Sequence, residues 1–200
     1  MSADGKIALP DRKRIRLSNQ KDVQRVNELR KKCDAILVGI GTVIEDNPKL
    51  TVKGENVISN PIRIVLDTNG RTPLNSNILN NDARTIIAVG NDCSVEKLGN
   101  AEIVKCGDKQ IDIELLIKIL SKKGIQKILV EGGETVLWSF LNGKLFDEIN
   151  IFVASMIVGG EKTPTMAGGP GFATKLDALK LALKHVSRLD DGVVLTYAKI

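Results

Sequence analysis

The chain has 200 residues, 42% of them hydrophobic and 26% charged, with a net charge of +5. That length suits one domain, 1–200, with a core that needs no disulfide staples, and no apolar run approaches the roughly 20 residues that span a membrane. Aromatic residues make up only 3%, and the basic stretch from Lys6 to Lys32 holds none on which a base could stack. It therefore argues against nucleic acid, and for phosphate groups on a small molecule or a solvated helix face.

Met1 leads straight into Asp4, Gly5 and Lys6 without a signal-peptide pattern. Cys33, Cys93 and Cys106 lack metal-ligand spacing and read as reduced, mostly buried thiols of a cytoplasmic protein. His185, the single histidine, lies in a strand-like run and reads as structural. A His-based triad or a metal site is not expected.

In chain order, Ser18 is the expected cap of a helix running to about Lys32. Ala35-Ile36-Leu37-Val38 reads as a short buried strand ending at Gly39, and residues 42–46 as a helical turn stopped by Pro48. Ile62–Leu66 is a strand ending at Asp67, followed by an Asn69-Gly70 turn. Strands are expected over 85–89 and 101–105, an amphipathic helix over 111–122, a buried strand over 127–130 and a helix over 135–141. Residues 148–154 form a strand, and 181–189 pairs with 193–199 as a hairpin across Asp190-Asp191-Gly192. Strands alternating with helices predict an α/β fold, mainly a parallel twisted sheet with helices on both faces and a C-terminal antiparallel hairpin.

Leu129-Val130-Glu131-Gly132-Gly133-Glu134-Thr135 carries the most chemistry. A strand ending at Glu131 points a carboxylate at the sheet's carboxyl edge, where open α/β sheets place ligands. Gly132 and Gly133 allow close approach to the backbone. The helix opening at Glu134 and Thr135 offers N–H groups and a positive dipole end to a phosphate. An ordinary strand–turn–helix corner is an equally good reading of this segment alone. Gly39-Ile40-Gly41-Thr42 is similar to a dinucleotide loop, but Ile44 stands where the third glycine belongs. Asp46-Asn47-Pro48-Lys49-Leu50-Thr51 is a polar turn with an acid and a hydroxyl. Thr68-Asn69-Gly70-Arg71 is a plain polar loop, or one that holds the ribose phosphate of NADPH with a hydroxyl, an amide and a guanidinium.

Four segments in order sharpen this reading. They are Met-Ser-x-Asp-Gly-Lys-Ile-Ala (1–8), Asp-Ala-Ile-Leu-Val-Gly-x-Gly-Thr-Val-x-x-Asp-x-Pro-x-Leu-Thr (34–51), Pro-x-Arg-Ile-Val-Leu-Asp (61–67) and Val-Glu-Gly-Gly (130–133). At this spacing the chain resembles the riboflavin-biosynthesis reductases. The resemblance reaches the final hairpin and includes Ile157-Val158-Gly159-Gly160 and Gly169-Pro170-Gly171-Phe172. It implies a fold similar to dihydrofolate reductase, NADPH as cofactor with NADH as the second nicotinamide donor, a phosphorylated pyrimidine substrate and the family's usual homodimer. Bacterial bifunctional members add a zinc deaminase with His-x-Glu and Pro-Cys-x-x-Cys motifs, which do not occur in this sequence. The chain thus looks like the stand-alone archaeal and fungal type, which reduces 2,5-diamino-6-(ribosylamino)-4(3H)-pyrimidinone 5′-phosphate. The alternatives are the bacterial-type substrate, 5-amino-6-(5-phosphoribosylamino)uracil, and a non-catalytic nucleotide-binding relative.

Carried over by position, the resemblance implies Thr42, Asp46, Thr68, Gly132, Gly133, Glu134 and Thr135 at the cofactor, to which the reading of the polar loop adds Asn69, Gly70 and Arg71. It implies Arg30, Leu50, Lys53 and Glu131 at the substrate, with Glu131, Asp46 or water supplying the proton. Two departures stand out. Asn27 occupies a position where the family often has histidine. The family also has a hydrophobic strand inside the sheet before Met-Ser-x-Asp-Gly, whereas Met1 opens that segment here. Its absence implies two unpaired sheet edges, unless upstream residues or a neighbouring element fill the gap.

Overall fold

The computed structural model describes residues 1–54, 57 and 59–200. The chain forms two compact units, one of Asn27–Val136 and the other of Met1–Val26 with Leu137–Ile200. Among the described residues four α-helices form: α1 (Gln20–Lys31), α2 (Ile40–Asp46), α3 (Ile113–Lys122) and α4 (Glu134–Asn142).

In the unit Asn27–Val136 five strands pair in parallel. They are β1 (Ala35–Gly39), β2 (Ile62–Leu66), β3 (Thr85–Val89), β4 (Glu102–Lys105) and β5 (Ile128–Gly132), in the order β4-β3-β2-β1-β5. β1 and β3 are buried at every residue, as continuous apolar runs require of strands covered on both faces. Ile36, Val38, Val65, Ile87 and Val89 form the core with Ile40, Val43 and Leu50. β2 carries an arginine into this core. Arg63 is fully buried, and burial lowers its pKa. Its guanidinium donates to the carbonyls of Asn77, Asn80 and Ala83 and to Asn80 Oδ1. Those acceptors offset the cost of burying the charge and fasten the loop that leads into β3.

The second unit holds an antiparallel sheet of β6 (Glu148–Val153), β7 (Leu181–Leu189) and β8 (Gly192–Lys199), in the order β6-β8-β7. Phe152, Ala154 and Val194 make its small core with Leu17 and Leu189. The segment that opens the chain is tied down here. Asp4 accepts from Ser2 Oγ at 2.6 Å, from Val158 N–H at 3.0 Å and from Gly159 N–H at 2.7 Å. These bonds, with the Ser2 hydroxyl foremost, hold its carboxyl down to about 2. A Cβ on Gly169 would lie 2.4 Å from Trp138 Cδ1, and Phe172 tilts against the same indole with ring centroids 5.0 Å apart. Both C-terminal family motifs thus have packing reasons.

Several elements differ from expectation. The cap of α1 is Asn19, whose Oδ1 accepts from Asp22 N–H at 2.8 Å, while Ser18 donates to the Asp22 side chain. α3 starts at Ile113 because Asp112 caps it, accepting from Leu115 N–H. β5 runs on through Glu131 to Gly132 and is half-buried along most of its length, not a buried strand, because it is a sheet edge. Only Cys106 of the three free thiols is buried. The parallel sheet and the C-terminal hairpin are as expected, but among the described residues the strands divide into two sheets. β5 bonds to β1 alone. β6 bonds to β8 and, through the Ser2↔Ala154 bridge, to the first residues of the chain. No helix among the described residues is long and apolar enough to cross a membrane.

Candidate functional site

The strand order reverses at β1, which has β2 on one side and β5 on the other. Ligands of open α/β sheets sit outside the carboxyl ends of the strands at such a point. Two of the sequence motifs converge there. Gly39 ends β1 and precedes α2, and Gly132 ends β5 just before Gly133 and α4.

The two corners approach closely. A Cβ on Gly39 would lie 2.8 Å from Val136 Cγ2 in α4, so glycine is needed for packing. A Cβ on Gly133 would meet only Thr42 Oγ1, at 3.6 Å. Gly132 and Gly133 have φ of 124° and 48°, conformations that favour glycine. The turn therefore leaves space at Gly133 beside Thr42, at the N-terminal end of α4, where the helix dipole favours an anion. Asp46 ends α2, exposed, one turn beyond Thr42.

Glu131 owes its aim to a break in the ladder. Leu37 pairs with Val130 but Val38 pairs with Gly132, so Glu131 is the extra residue of a bulge in β5. Bulges re-aim side chains at strand ends. The carboxylate meets Arg30 of α1 in a fork, with Nε to Oε1 and Nη2 to Oε2 both at 2.6 Å. The side chains are 18% and 19% exposed, so the pair is partly desolvated yet reachable. The third guanidinium nitrogen, Nη1, donates to the Thr51 carbonyl at 2.9 Å. Arg30 thus joins the helix, the bulged strand and the loop that leads to Lys53.

That loop is itself constrained. Leu50 is buried with φ of 49°, a left-handed conformation that costs a branched residue about 1 kcal/mol or more and marks functional segments. Asn27 grips the Lys53 backbone at both ends, donating to its carbonyl at 2.8 Å and accepting from its N–H at 2.7 Å. Arg30, Leu50, Lys53 and Glu131 are thus brought into one connected set. Asn27 belongs to it, although the sequence marks that position only as a departure from the family's histidine.

The third segment behaves differently. Gly70 N–H donates to the Asp67 carbonyl, and a Cβ there would lie 2.5 Å from Val95 Cγ2. Gly70 is therefore required by packing. Thr68 is half-buried, and Asn69 and Arg71 are exposed. Asp67, to which the sequence reading gives no role, is fully buried. Its Oδ2 accepts from the N–H and hydroxyl of Thr72 at 2.8 and 2.7 Å, which shapes the loop. An acid closing an apolar run was the available signal.

Known proteins resemble this chain in sequence and fold. Residues 1–195 match the RibD C-terminal domain family. The chain is 38% identical to the 2,5-diamino-6-ribosylamino-4(3H)-pyrimidinone 5′-phosphate reductase of Methanothermobacter thermautotrophicus, over 98% of this chain and 94% of that one. It is 36% identical to the protein of the same name from Archaeoglobus fulgidus, over 98% and 93%. Among solved structures it is similar to a diaminohydroxyphosphoribosylaminopyrimidine deaminase/5-amino-6-(5-phosphoribosylamino)uracil reductase of Thermotoga maritima, with a TM-score of 0.85 and 25% identity. The match covers all of this chain and 54% of that one, so the chain spans about half the length of that protein. Dihydrofolate reductase of Enterococcus faecalis, at a TM-score of 0.53 and 12% identity, shares the fold.

Proposed function

The chain belongs to the RibD C-terminal domain family, and on that footing we propose that it is a reductase of riboflavin biosynthesis, one domain over 1–200. Its reaction is the NADPH-dependent reduction of the ribosylamino group of 2,5-diamino-6-(ribosylamino)-4(3H)-pyrimidinone 5′-phosphate to a ribitylamino group. The observation that carries the reading is the bulged Glu131, forked by Arg30, beside a double-glycine turn with space at Gly133, at the point where strand order reverses. The archaeal relatives named for this substrate are matched over 93–94% of their length.

The residues present fit a dinucleotide. At Gly133 only Thr42 Oγ1 comes within 4 Å of an added Cβ, which leaves room for a pyrophosphate. Gly132, Gly133, Glu134 and Thr135 would hold that group, with Thr42 and Asp46 beside them and Thr68, Asn69 and Arg71 toward the adenosine ribose. Bound there, NADPH supplies the hydride.

On the substrate side, a carboxylate has about four acceptor lobes. Arg30 takes one on each oxygen, so one per oxygen remains. A 2-aminopyrimidin-4-one edge presents two neighbouring donors, the ring N–H and the 2-amino group, which match those lobes. A uracil edge puts a carbonyl oxygen in place of one donor, which favours the diamino substrate. Lys53 would hold the 5′-phosphate by charge-assisted bonds. Glu131, held by Arg30, offers acceptors, which leaves water or Asp46 to deliver the proton to the opening ring oxygen. A cytoplasmic homodimer completes the reading, and light scattering tests the dimer.

The test is NADPH and NADH oxidation with each of the two pyrimidine substrates. Turnover of the diamino compound with kcat/KM at least tenfold above the uracil, and higher with NADPH than with NADH, is expected. No turnover of either substrate by the folded chain leaves a nucleotide-binding relative without activity.

A further inference from the structure

The loop before Lys53 is held along both edges. Leu50 and Val52 are buried, and Thr51 and Lys53 lie outward, half-buried and exposed. Val52 N–H donates to Asn60 Oδ1 at 2.9 Å. In an extended segment, alternate residues direct their backbone groups to opposite edges. The edge carrying the Thr51 carbonyl and both backbone groups of Lys53 lies along α1, where Arg30 Nη1 and the Asn27 amide bind it. Asn27 and Arg30 are three residues apart, so they share one helix face. Asn27 thereby imitates a neighbouring strand, supplying one donor and one acceptor to a single residue. Few side chains can do this: an aspartate has no donor, and an alanine has neither group.

The Lys53 side chain makes no hydrogen bond or ion pair to any other described residue. Its ammonium sits on a flexible four-carbon stem, so its placement depends on where its backbone is held. We infer that Asn27 is the positioning residue for Lys53. By clamping the Lys53 backbone to α1 in register with the Arg30–Glu131 fork, it sets the ammonium at the distance at which the substrate's phosphate is bound. This rests on the proposed role of Lys53 as the phosphate ligand. It adds a determinant of substrate affinity that touches neither substrate nor cofactor.

The experiment measures calorimetric binding of ribose 5-phosphate together with turnover, for the wild-type chain, Asn27→Ala, Asn27→Asp, Lys53→Ala and Asn27→Ala/Lys53→Ala. Asn27→Ala should weaken ribose 5-phosphate about tenfold, the effect of a Lys53 backbone that then occupies the held position only about a tenth of the time. It should raise the pyrimidine KM by a similar factor and leave kcat and the NADPH KM within about twofold. Asn27→Asp, isosteric and keeping the acceptor, should fall between wild type and alanine, and it carries the test if the alanine variant does not fold. In the Lys53→Ala background, removing Asn27 should change affinity little further, because the group it positions is gone. A folded Asn27→Ala chain with wild-type affinity overturns the inference, as does an equal loss with or without Lys53. So does a wild-type chain that binds no ribose 5-phosphate. If the wild type fails to reduce the pyrimidine but binds ribose 5-phosphate in an Asn27-dependent way, the reductase reading falls and the positioning role stands. Normal turnover that ignores Asn27 does the reverse.

Discussion

The two strand–turn–helix corners at the carboxyl edge of the parallel sheet are built alike and behave differently. β1 is buried at all five residues and keeps an unbroken register with β2. Its glycine, Gly39, exists because α4 passes so close. β5 is an edge strand, half-buried, bulged at Glu131, and ends in a turn with open space above it. A central strand has ladder bonds on both sides and apolar cover on both faces, so an ionised side chain there must spend its hydrogen bonds inside the protein, as Arg63 of β2 does. An edge strand can bulge without breaking a second ladder, and solvent and a cation can both reach its side chains. The frame lies in β1, and the proposed chemistry lies on the strand with less support.

If that contrast is right, charge at the edge corner should matter most. Glu131→Gln keeps the shape, but it loses the charge-assisted fork to Arg30 and presents a donor where the substrate has donors. A buried unpaired group costs roughly 1–3 kcal/mol, so kcat/KM for the pyrimidine should fall about 5- to 150-fold. The cofactor Kd should change little, since the proposed pyrophosphate site is the turn that follows. Steady-state kinetics and a cofactor titration on the same preparation check both halves. Near-normal kcat/KM in a folded variant would remove Glu131 from the active site.

The glycines separate the corners next. At Gly133 an added methyl fits the ligand-free chain, with its nearest contact at 3.6 Å, but it would stand where a phosphate should come. Gly133→Ala should weaken NADPH by at least about tenfold. Its thermal midpoint should fall only a few degrees, from about 1 kcal/mol of left-handed strain. At Gly39 the methyl meets Val136 at 2.8 Å, and valine is stiff at χ1. Gly39→Ala should cost about 1 kcal/mol of stability through overpacking and leave cofactor affinity within about threefold. Denaturant midpoints and NADPH titrations distinguish the two. Equal losses of cofactor binding in both variants would mean that the corners do not divide frame from function.

The smallest effect is expected at a carboxylate with a different task. Asp4 is held by a hydroxyl and two backbone N–H groups, and its folded pKa is lowered from 3.8 to about 2. A lowered acid pKa stabilises the fold above the unfolded value, and that stability is lost as pH falls through the folded one. Between about pH 4 and pH 2 the wild type should therefore lose more stability than Asp4→Asn. Above about pH 5 the difference between them should be constant. Thermal melts across that range test the sign, and parallel curves would show that the Asp4 bonds do not persist in solution.

Much of the frame was legible in the sequence. The edges of β2, β3 and β7 were readable to the residue, because apolar runs bounded by turn residues carry their limits locally. So was the placement of Glu131 and the glycine pair at the carboxyl end of a parallel strand, because an apolar run that stops at an acid and two glycines carries that boundary locally. The α1 cap was off by one residue, since Ser18 and Asn19 are both good caps and only three-dimensional placement chooses between them. The edge status of β5 was not readable. Ile-Leu-Val reads the same in a central strand as at an edge, and strand order is a long-range property. Nor could the bulge be read, since it is a mismatch between two strands more than 90 residues apart in the chain. The fork of Arg30 on Glu131 and the grip of Asn27 on Lys53 also join residues distant in sequence, which local patterning does not encode. Residue type and periodicity thus determined which segments fold into strands and helices and which of them carry the residues proposed for chemistry, while packing alone decided which side chain holds which.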